Sequence, residues 1–578
     1  KVDNREVIDI QMEEETKELE QVVVIGYGVQ KKSDLTGAVA SVSADDIVKV
    51  STTSIANALQ GKVAGVQITQ STGAPGSGTK VRIRGISSLS GGDPIWIVDN
   101  VPASPNSVND NDIESIEIIK DASAASIYGS NGANGVIIIT TKKGKVGETQ
   151  VNANYYHGFQ EVPNRINTAN AQEFGKMFLE YQATLASIKK KDFIDKIQFP
   201  NYMSEPSYDY QDMIFRLADV DKIDFNVSGG SEKLNSYFSG SFLREEGILK
   251  SSSFDKLNFL LKSEYKVTDW LKIGENATYT YTSRFGWDDW VYGNEYSSPI
   301  TSAITVLPNH MPYDSVGNWR PRTWGNSDGP MPAIDMMNQR RNNSEIRSTF
   351  FGTIEPIKGL SFESLFTPSI SYNNNYSLSV AYYYGGGVGQ YNNDSKISRS
   401  MGEYFGYNWQ NLVRYKNSFF EVLNLEGLVG YEVGKGKYMG VSGERWNLIF
   451  EDVNNWKALA NSPEMWYFDA SRNDTTLAQL VKGGGNESAG YSYLGRLNID
   501  IKNTLLFQFN FRRDYSSKFG PDKRAGNFPG GSIGLKFTEF KFIKDALPFL
   551  SFGKIRYSLG RAGNNAVNDY AYYATIGA

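Results

Sequence analysis

The stretch LLFQFNFR, residues 505–512, alternates between two kinds of side chain. Apolar residues hold its odd-numbered positions, which are Leu505, Phe507, Phe509 and Phe511. The even-numbered positions are mostly polar or charged: Leu506, Gln508, Asn510 and Arg512. Successive side chains of a strand point to opposite faces, and one apolar face with one polar face is typical of a transmembrane barrel with a wet interior. The stretch therefore predicts a membrane-spanning β-strand.

Similar strand-like segments follow one another from about residue 149 to residue 560. Residues 277–282, for example, read ATYTYT and alternate tyrosine or alanine with threonine. Thirteen candidate strands lie near 149–158, 222–229, 235–243, 256–266, 271–283, 346–355, 360–372, 404–416, 421–432, 490–501, 505–514, 530–538 and 551–560. Residues 148–578 are therefore predicted to form an antiparallel β-structure.

The connections between these candidate strands alternate in length. Short connections occur near residues 230 and 268 and at 356–359 and 502–503, whereas long ones span about 159–221, 284–345, 373–403 and 433–489. Long loops on one rim and short turns on the other are typical of an outer-membrane barrel. A soluble β-sandwich would not require such alternation, so the pattern favours the membrane barrel.

The number of candidate strands is odd, whereas single-chain bacterial outer-membrane barrels have even numbers. The last candidate strand is followed by a polar stretch that ends at Ala578, not at an aromatic residue. We therefore expect residues 148–578 to form part of a barrel that cannot close by itself.

Residues 30–147 predict a compact domain that mixes helix and strand. Ser54 precedes the short apolar run of residues 55–59 and suits a helix N-cap. Strand-like pieces follow, and residues 113–141 combine an alternating strand, an Ala/Ser-rich helix, a glycine-rich turn and a second apolar strand.

Two different segments precede this domain. Residues 1–18 are mostly polar and predict a solvated linker, or the end of an N-terminal extension. Residues 19–29 begin with LEQVVVIG, in which Val22 to Ile25 are β-prone and apolar. Those residues fit either the first strand of the following domain or an exposed strand that pairs with the sheet edge of a partner.

The composition argues against several functions. The net charge is −5, so no overall basic field favours nucleic acid as a partner. The chain has no cysteine and only two histidines, His157 and His310, which argues against a thiolate or histidine-ligated metal centre. No phosphate-binding loop of the GxxxxGKS or GxxxxGKT type occurs, and the acidic run at 109–115 lacks the glycine of an EF-hand. We expect neither an enzyme nor a cofactor.

Two sets of residues are candidates for binding. Arg82 and Arg84 lie on one face of a predicted strand, and inside a barrel they would need carboxylate partners that could lock a plug in place. Aromatic clusters in the long loops could stack on sugars or grip peptides, or could simply pack within the loops. The candidates there are Trp287, Trp290, Tyr292, Trp319 and Trp324.

The ordered motifs between residues 19 and 144 resemble the SusC/RagA family of TonB-dependent outer-membrane transporters. They are LEQVVVIGYGVQKKSDLTGAVASVS (19–43), IANALQGKVAGVQI (55–68), VRIRGISSLSGGDPIWIVDNVP (81–102) and DIESIEIIKDASAASIYGSNGANGVIIITTKKG (112–144). Segments 227–261, 511–530 and 554–565 are similar to barrel segments of the family. One departure is Asn131, which stands where the family motif often has arginine.

The resemblance implies an α+β plug domain inside a transmembrane antiparallel β-barrel of about 22 strands, of which about 13 are present here. It also implies that residues 19–26 are a TonB box that binds the periplasmic domain of TonB through Leu19, Glu20, Val22, Val23, Val24 and Ile25. A SusD-type surface lipoprotein, an oligosaccharide or peptide substrate and outer-membrane lipid are the other implied partners. The implied location is the outer membrane of a Gram-negative, Bacteroidota-type bacterium.

Together, these expectations predict TonB-dependent import of a nutrient. Two alternatives remain: a ligand-sensing outer-membrane receptor with little transport of its own, and a soluble secreted glycan-binding β-protein. The sequence does not distinguish a glycan from a peptide as the substrate.

Overall fold

The computed structural model describes most of the chain. The described residues are 22–48, 54–70, 72–86, 92–189, 204–287, 298–320, 329–380, 382–383, 391–392, 395–420, 422–446, 448, 466–469, 474–477 and 479–573.

The described residues between 22 and 141 form a small domain, referred to below as the plug. Its described strands are β1 (Val22–Ile25), β2 (Gly28–Lys31), β3 (Val39–Ser43), β4 (Val66–Gln70), β5 (Thr79–Ile83), β6 (Ile95–Val98), β7 (Val101–Pro102), β8 (Ile113–Ile119) and β9 (Val136–Thr141). Its described α-helices are α1 (Ala44–Val48), α2 (Ile55–Ala58) and α3 (Ala122–Ala125). A five-stranded sheet has the order β3-β8-β9-β6-β7, while β1 with β2 and β4 with β5 form separate hairpins.

The plug sheet separates two hydrophobic clusters, because alternate side chains of its strands point to opposite faces. On one face, Ile116 and Ile118 pack with Ile137, Ile139 and the short helices α1 and α2. On the other face, Ile119, Val136 and Ile138 pack against the β1–β2 hairpin and the segment that follows α3. The β1–β2 hairpin is therefore part of the plug core.

Thirteen strands of the remaining chain form one antiparallel sheet in which each strand pairs with the next along the sheet. They are β10 (Gly147–Gln160), β11 (Ala218–Gly230), β12 (Leu234–Glu246), β13 (Ser253–Lys266), β14 (Leu271–Phe285), β15 (Gln339–Ile357), β16 (Leu360–Ser379), β19 (Lys396–Phe419), β20 (Leu423–Trp446), β23 (Gln479–Ile501), β24 (Leu505–Ser516), β25 (Ala525–Leu535) and β26 (Ile555–Gly560). Two small hairpins lie outside it, β17 (Tyr382–Tyr383) with β18 (Tyr391–Asn392) and β21 (Trp466–Asp469) with β22 (Asp474–Leu477). The predicted thirteen strands and the plug inside a partial barrel are confirmed.

The sheet curves around the plug with its polar face inward. Along β24, Gln508, Asn510 and Arg512 are buried against the plug, whereas Phe509 and Phe511 are about half exposed on the outer face. The alternation seen at residues 505–512 therefore separates a lumen face from an apolar outer face, as expected for a membrane barrel.

The connections also separate by rim, with exceptions. Short turns such as 358–359 and 502–504 share one rim, the short-turn rim, and long segments such as 161–217 share the other, the long-loop rim. However, the long-loop rim also has the short link 247–252, and the short-turn rim has the longer link 536–554. The predicted alternation in length is therefore correct for most connections but not for all.

Several connections between the barrel strands contain helices. They are α4 (Ala171–Lys189), α5 (Tyr210–Ile214), α6 (Pro299–Thr305), α7 (Met331–Asp335) and α8 (Lys541–Ala546). Among the helices within the described ranges, none has the length and apolar character needed to cross a membrane.

Candidate functional site

The turn of the β1–β2 hairpin consists of Gly26 and Tyr27. Ile25 pairs with Gly28, so the loop has two residues, and both adopt positive φ angles, 33° at Gly26 and 63° at Tyr27. A two-residue hairpin turn favours this left-handed backbone, but a tyrosine there costs about 1–2 kcal/mol. Contacts of the Tyr27 side chain and carbonyl with the barrel offset that cost.

Two arginines of the barrel wall bind backbone carbonyls of this turn. The Nη1 of Arg496 donates to the carbonyl oxygens of Ile25 at 2.9 Å and Gly26 at 2.6 Å. Arg414 donates from Nε at 3.1 Å and from Nη2 at 2.7 Å to the carbonyl oxygen of Tyr27. Hydrogen bonds with a charged partner contribute about 1.5–3 kcal/mol each, so the turn is firmly held.

Carboxylates on neighbouring strands balance these arginines. Nη2 of Arg496 lies 3.5 Å from Oε1 of Glu426, and Arg414 forms an ion pair with Glu363. The Arg496 side chain is almost fully buried. Since an unpaired buried charge is costly, the carboxylates keep both guanidinium groups charged and in place.

The Tyr27 side chain reaches a second charged cluster, further from the short-turn rim. Its hydroxyl lies 3.0 Å from Oε2 of Glu432 and 2.9 Å from Nη1 of Arg512. Burial raises the pKa of the Tyr27 hydroxyl well above its usual value, and the negative charge of Glu432 adds to the rise. The hydroxyl therefore remains protonated and donates to Glu432.

Arg512 joins this cluster to the glycine-rich loop of the plug. Its Nη1 donates to the carbonyl oxygen of Ile127 at 3.2 Å, and its Nε lies 2.6 Å from Oδ1 of Asp514. The other oxygen of Asp514 accepts a hydrogen bond of 2.6 Å from the backbone nitrogen of Ser130. Arg512, which belongs to the barrel, therefore neutralises Glu432 and Asp514 of the wall next to Asn131 of the plug.

Four leucines on the lumen face lie among polar residues of their own strands. One lies on each of four successive strands of the sheet, and we call them the leucine belt: Leu365, Leu412, Leu428 and Leu494. All four are buried in the cluster that contains Ile25 and Tyr27 of the hairpin and Tyr128 of the plug. The belt and the hairpin thus form an apolar seal between plug and barrel.

A cavity lies on each side of this seal. The turn-side cavity, of about 680 Å³, opens next to β1 and β2. Its lining includes Val24, Tyr27, Val29, Asn100, Glu363, Arg414 and Glu426. The loop-side cavity, of about 320 Å³, lies across the seal. Its lining includes Asn131, Tyr404, Tyr407, Asn408, Glu432, Lys435, Tyr491, Arg512, Tyr515, Lys518 and Asn565.

A buried carboxyl group lies behind β1. Glu117 of β8 is 1% exposed and accepts a hydrogen bond from the backbone N–H of Val24. Its Oε2 has no hydrogen-bond partner within the described ranges. Burial raises the pKa of the Glu117 carboxyl to about 7, although the hydrogen bonds from Ser115 and Val24 oppose the rise.

The expected TonB box lies only partly in the described chain. Val22 to Ile25 form β1, and Leu19 and Glu20 lie outside the described residues. Val23 is 1% exposed and Ile25 is 3% exposed, so the expectation of an exposed strand is wrong for this conformation. β1 pairs with β2 and packs into the plug because its apolar side chains complete the cluster beneath the sheet. The binding of TonB by these residues remains a prediction.

The expectation that Arg82 and Arg84 lock the plug finds no support among the strands of this chain and remains a prediction. In the described part of the chain, neither residue makes an ion pair or a side-chain hydrogen bond. Val81 and Ile83 of the same strand face the plug core, so the arginines point away from it, and Arg84 is exposed.

Ion pairs across the interface instead place the cation on the barrel and the carboxylate on the plug. Lys262 lies 2.9 Å from Asp99, Lys536 lies 2.5 Å from Asp34, and Lys222 pairs with Asp110. Asp112 accepts a 2.8 Å hydrogen bond from the hydroxyl of Tyr237. The acidic run at 109–115, considered above as a calcium loop, thus contains contacts to the barrel.

The five aromatic candidates are not brought together in the described structure. Trp287 is 9% exposed and packs in a cluster with Tyr210, Val306 and Ile334, and its contact with ligand remains a prediction. The indole N–H of Trp319 donates to Asp335 at 2.9 Å. Trp290, Tyr292 and Trp324 lie outside the described residues.

Sequence reasoning missed the aromatic residues that line the loop-side cavity. Tyr404 of β19 is the clearest of them, since it lies on the same face of the strand as Asn408 and Leu412. These aromatic residues lie on barrel strands, whereas the candidates were sought in loops. A tyrosine on the polar face of a strand near the long-loop rim, such as Tyr404, would have been the signal.

A plug held inside a curved antiparallel sheet, polar inward and apolar outward, defines part of a plugged β-barrel. A family model described as "TonB-dependent Receptor Plug Domain" matches residues 31–136. TonB-dependent receptor P26 of Formosa agariphila is 31% identical over 97% of this chain and 55% of its own length. TonB-dependent receptor SusC of Bacteroides thetaiotaomicron is 29% identical over 98% of this chain and 56% of its own length.

The fold is shared with a solved structure of the RagAB peptide importer in its open-open state. That likeness has a TM-score of 0.82 at 24% identity and covers 96% of this chain and 63% of that chain. The chain belongs to the SusC/RagA family of TonB-dependent transporters. It spans about half the length of the curated relatives it matches.

Proposed function

We propose that the protein containing this chain actively imports a nutrient across the outer membrane, driven by TonB. The observation that carries the proposal is the position of the β1–β2 hairpin. Its turn contacts the barrel wall between two cavities, and its N-terminal end continues into the segment that resembles a TonB box. Tension on residues 19–26 would act directly on the contacts that separate the cavities.

Strand addition is the proposed mode of TonB binding, with Leu19, Glu20 and Val22 to Ile25 as the bound residues. In such binding, main-chain hydrogen bonds supply affinity and alternate side chains supply specificity. Because β1 is paired and buried here, TonB would bind first to the residues before it and then draw β1 away from β2.

The proposed substrate is an oligosaccharide or a peptide. The ring of Tyr404, the amides of Asn131, Asn408 and Asn565, and Lys518 line the loop-side cavity and can stack on or hydrogen-bond either class. The RagAB protein that shares this fold is described as a peptide importer. A SusD-type lipoprotein at the long-loop rim is the proposed partner, and the apolar outer face of the sheet fits outer-membrane lipid.

The proposal is tested in the full-length protein in its own outer membrane. Residues 19–26 are deleted, and a second variant carries Glu20→Pro and Val22→Pro, since proline lacks the N–H that strand addition needs. A matched control places the two prolines at Asp9 and Met12, within the predicted linker. Uptake of fluorescent peptide and oligosaccharide mixtures is measured together with barrel assembly and surface binding.

We expect the deletion and the proline pair to abolish uptake while assembly and surface binding persist, and the linker variant to retain uptake. Import that continues without residues 19–26 would refute the proposal.

A further inference from the structure

The outer face of the barrel sheet has a groove in its apolar surface, which we call the outer groove. It has a volume of about 500 Å³ and crosses β19, β20, β23 and β24. Its walls are the outward-facing side chains of Val413, Tyr415, Val429, Leu497, Phe509 and Phe511. Each of the four strands has a hydrogen-bonded neighbour on both sides, so the outer groove lies within the sheet and not at its edge.

Two glycines form the floor of the outer groove. Gly427 of β20 pairs with Tyr415 on one neighbouring strand and with Leu497 on the other. Gly495 of β23 is two positions from Leu497, so it lies on the same face and diagonally beside Gly427. Two adjoining positions without side chains leave a depression that is one side chain deep.

The sheet itself does not require glycine at these two positions. Neither residue has a positive φ, so a residue with a side chain could adopt the same backbone. Apart from its neighbours in the chain, a Cβ at Gly427 would meet no atom within 4 Å, and a Cβ at Gly495 would meet only the carbonyl oxygen of Leu428, at 3.6 Å. Glycine weakens the interior of a strand and often marks the close approach of a ligand. The two glycines therefore indicate that a ligand enters the outer groove.

A cation lies where the outer groove ends toward the long-loop rim. Arg513 is two positions beyond Phe511 on the same face of β24, and it is exposed. Its guanidinium group lies over the ring of Tyr515, with the central carbon 5.2 Å from the ring centroid. Within the described ranges, Arg513 forms no ion pair with a carboxylate. A charge on the lipid-facing side of a barrel is costly, so an anionic group of a lipid fits this position.

Tyrosine side chains lie around Arg513 on the outer face. Tyr491 stacks on Tyr515 with the ring centroids 4.4 Å apart, and Tyr493 pairs with Arg513 across the strands. The ring centroid of Tyr431 lies 5.4 Å from that of Tyr493. Such rings are typical of the aromatic girdle of a barrel, at the level of the lipid head groups. Because each ring is apolar on its faces and polar at its hydroxyl, the tyrosines can pack against a sugar and hydrogen-bond it.

We propose that the outer groove binds one acyl chain of a phosphorylated glycolipid, with the phosphate on Arg513 and the sugar against the tyrosines. An acyl chain is unbranched and apolar, which suits a depression one side chain deep between apolar walls. Long loops lie on the extracellular side of such barrels, so the Arg513 end of the groove faces the outer leaflet, where lipids of this chemistry occur. The inference rests on the proposed location in the outer membrane and does not depend on import.

The test uses the full-length protein, delipidated in detergent and then incubated with monophosphoryl lipid A. Native mass spectrometry counts the bound lipid, and phosphatidylethanolamine serves as the comparison because it has acyl chains and a phosphate but no sugar. One variant combines Gly427→Leu with Gly495→Leu, which fills the outer groove. A second variant, Arg513→Gln, removes the cation and leaves the groove open.

Each variant has a matched control. Gly352→Leu adds the same side chain at a glycine of β15 that lies outside the groove and two positions from the exposed Phe350. A Cβ there would meet only the carbonyl oxygen of Lys272, at 4.0 Å. Lys435→Gln removes a cation of β20 that already pairs with Glu487 at 2.6 Å. The heat-dependent migration of each variant in gels shows whether its barrel is assembled.

We expect one molecule of lipid A to bind the unmodified protein and both controls. The two leucines in the groove should abolish this binding. Arg513→Gln should weaken it about tenfold, which is the loss expected for one charge-assisted contact. If the filled protein does not assemble, the comparison of Arg513→Gln with Lys435→Gln decides alone.

Three results would overturn the inference. The first is lipid A binding that neither the filled groove nor Arg513→Gln changes, and the second is equally strong binding of phosphatidylethanolamine. The third is an unmodified protein that binds no lipid but changes its oligomeric state when the groove is filled, which would assign the groove to a second copy of the chain. A failure of import in cells bears on the proposed function alone.

Discussion

The hydroxyl of Tyr27 lies 3.0 Å from Oε2 of Glu432, although 405 positions separate the two residues in the chain. The contact joins the tip of the first hairpin to the middle of the barrel wall. It also places a side chain from the segment nearest the N-terminus against a carboxylate that lines the loop-side cavity.

Removal of the Tyr27 hydroxyl should loosen the hairpin. Tyr27→Phe leaves the buried Glu432 carboxylate without one of its donors, which costs about 1–3 kcal/mol. We expect faster hydrogen–deuterium exchange across residues 22–31 in the full-length protein, read by mass spectrometry. Tyr493→Phe is the control, because Tyr493 lies exposed on the outer face. Equal exchange in the two variants would show that the hydroxyl does not hold the hairpin.

Loss of the Arg496 guanidinium should weaken the same hairpin through its backbone. Arg496→Ala leaves the carbonyl oxygens of Ile25 and Gly26 without their donor and Glu426 without its partner, at a cost of about 2–5 kcal/mol. We expect proteolytic cleavage near residues 22–31 in the variant. Arg513→Ala, at an exposed position on the adjacent strand, should remain resistant. Resistance of both variants would contradict the assigned role.

Docking of the plug should weaken as pH rises. Burial raises the pKa of the Glu117 carboxyl to about 7 from an ordinary value of 4.5. Between these values the native protein retains a proton that the unfolded chain has lost, so stability falls as pH rises from 4.5 to 7, by about 3 kcal/mol, and stays low above 7.

Glu117→Gln should remove this dependence. We expect exchange of residues 22–31 and 113–119 to be faster at pH 8 than at pH 5.5 in the unmodified protein, after correction for the intrinsic effect of pH on exchange. In Glu117→Gln the corrected rates should agree at the two values. Glu161→Gln, with an exposed side chain, should behave like the unmodified protein, and persistence of the pH effect in Glu117→Gln would exclude this carboxyl as its source.

Truncation of the leucine belt should cost more than truncation of its neighbour on the outer face. Leu412→Ala opens a cavity beneath the hairpin, and such changes cost about 2–5 kcal/mol. Val413 lies on the opposite face of β19 and is partly exposed, so Val413→Ala should have a small effect. The two variants are compared by thermal unfolding in detergent, which is monitored through hydrogen–deuterium exchange within the plug. A larger loss for Val413→Ala would argue against the belt as a seal.

Much of the fold was predictable from the sequence because it follows from local periodicity. The thirteen strands appear as alternating segments, and the plug appears as strand, helix and strand at residues 113–141. The strand ends were less predictable: β19 and β20 each have 24 residues and run well past the expected limits of 416 and 432. There, glycines and charged residues continue the pairing without the alternation on which the prediction relied.

The site was harder to predict because its contacts join residues that are far apart in the chain. Arg82 and Arg84 were chosen for their charge, but whether a charged side chain faces the wall depends on the packing of its strand. Arg414, Arg496 and Arg512 looked like ordinary polar positions of barrel strands. The leucine belt had a readable signal, since Leu412 and Leu428 interrupt the polar face of strands that are otherwise polar inward.

Side chains of the barrel hold the start of the plug through hydrogen bonds to the main chain of the plug. Carbonyl oxygens accept from arginines at Ile25, Gly26 and Tyr27, from Lys554 at Ser33 and Leu35, and from Arg556 at Gly37. Bonds arranged in chain order break singly when the end is drawn out, so the start of the plug peels and does not shear. The force required is then that of one bond at a time, to which the side-chain contacts of Tyr27, Asp34 and Thr36 with the barrel add.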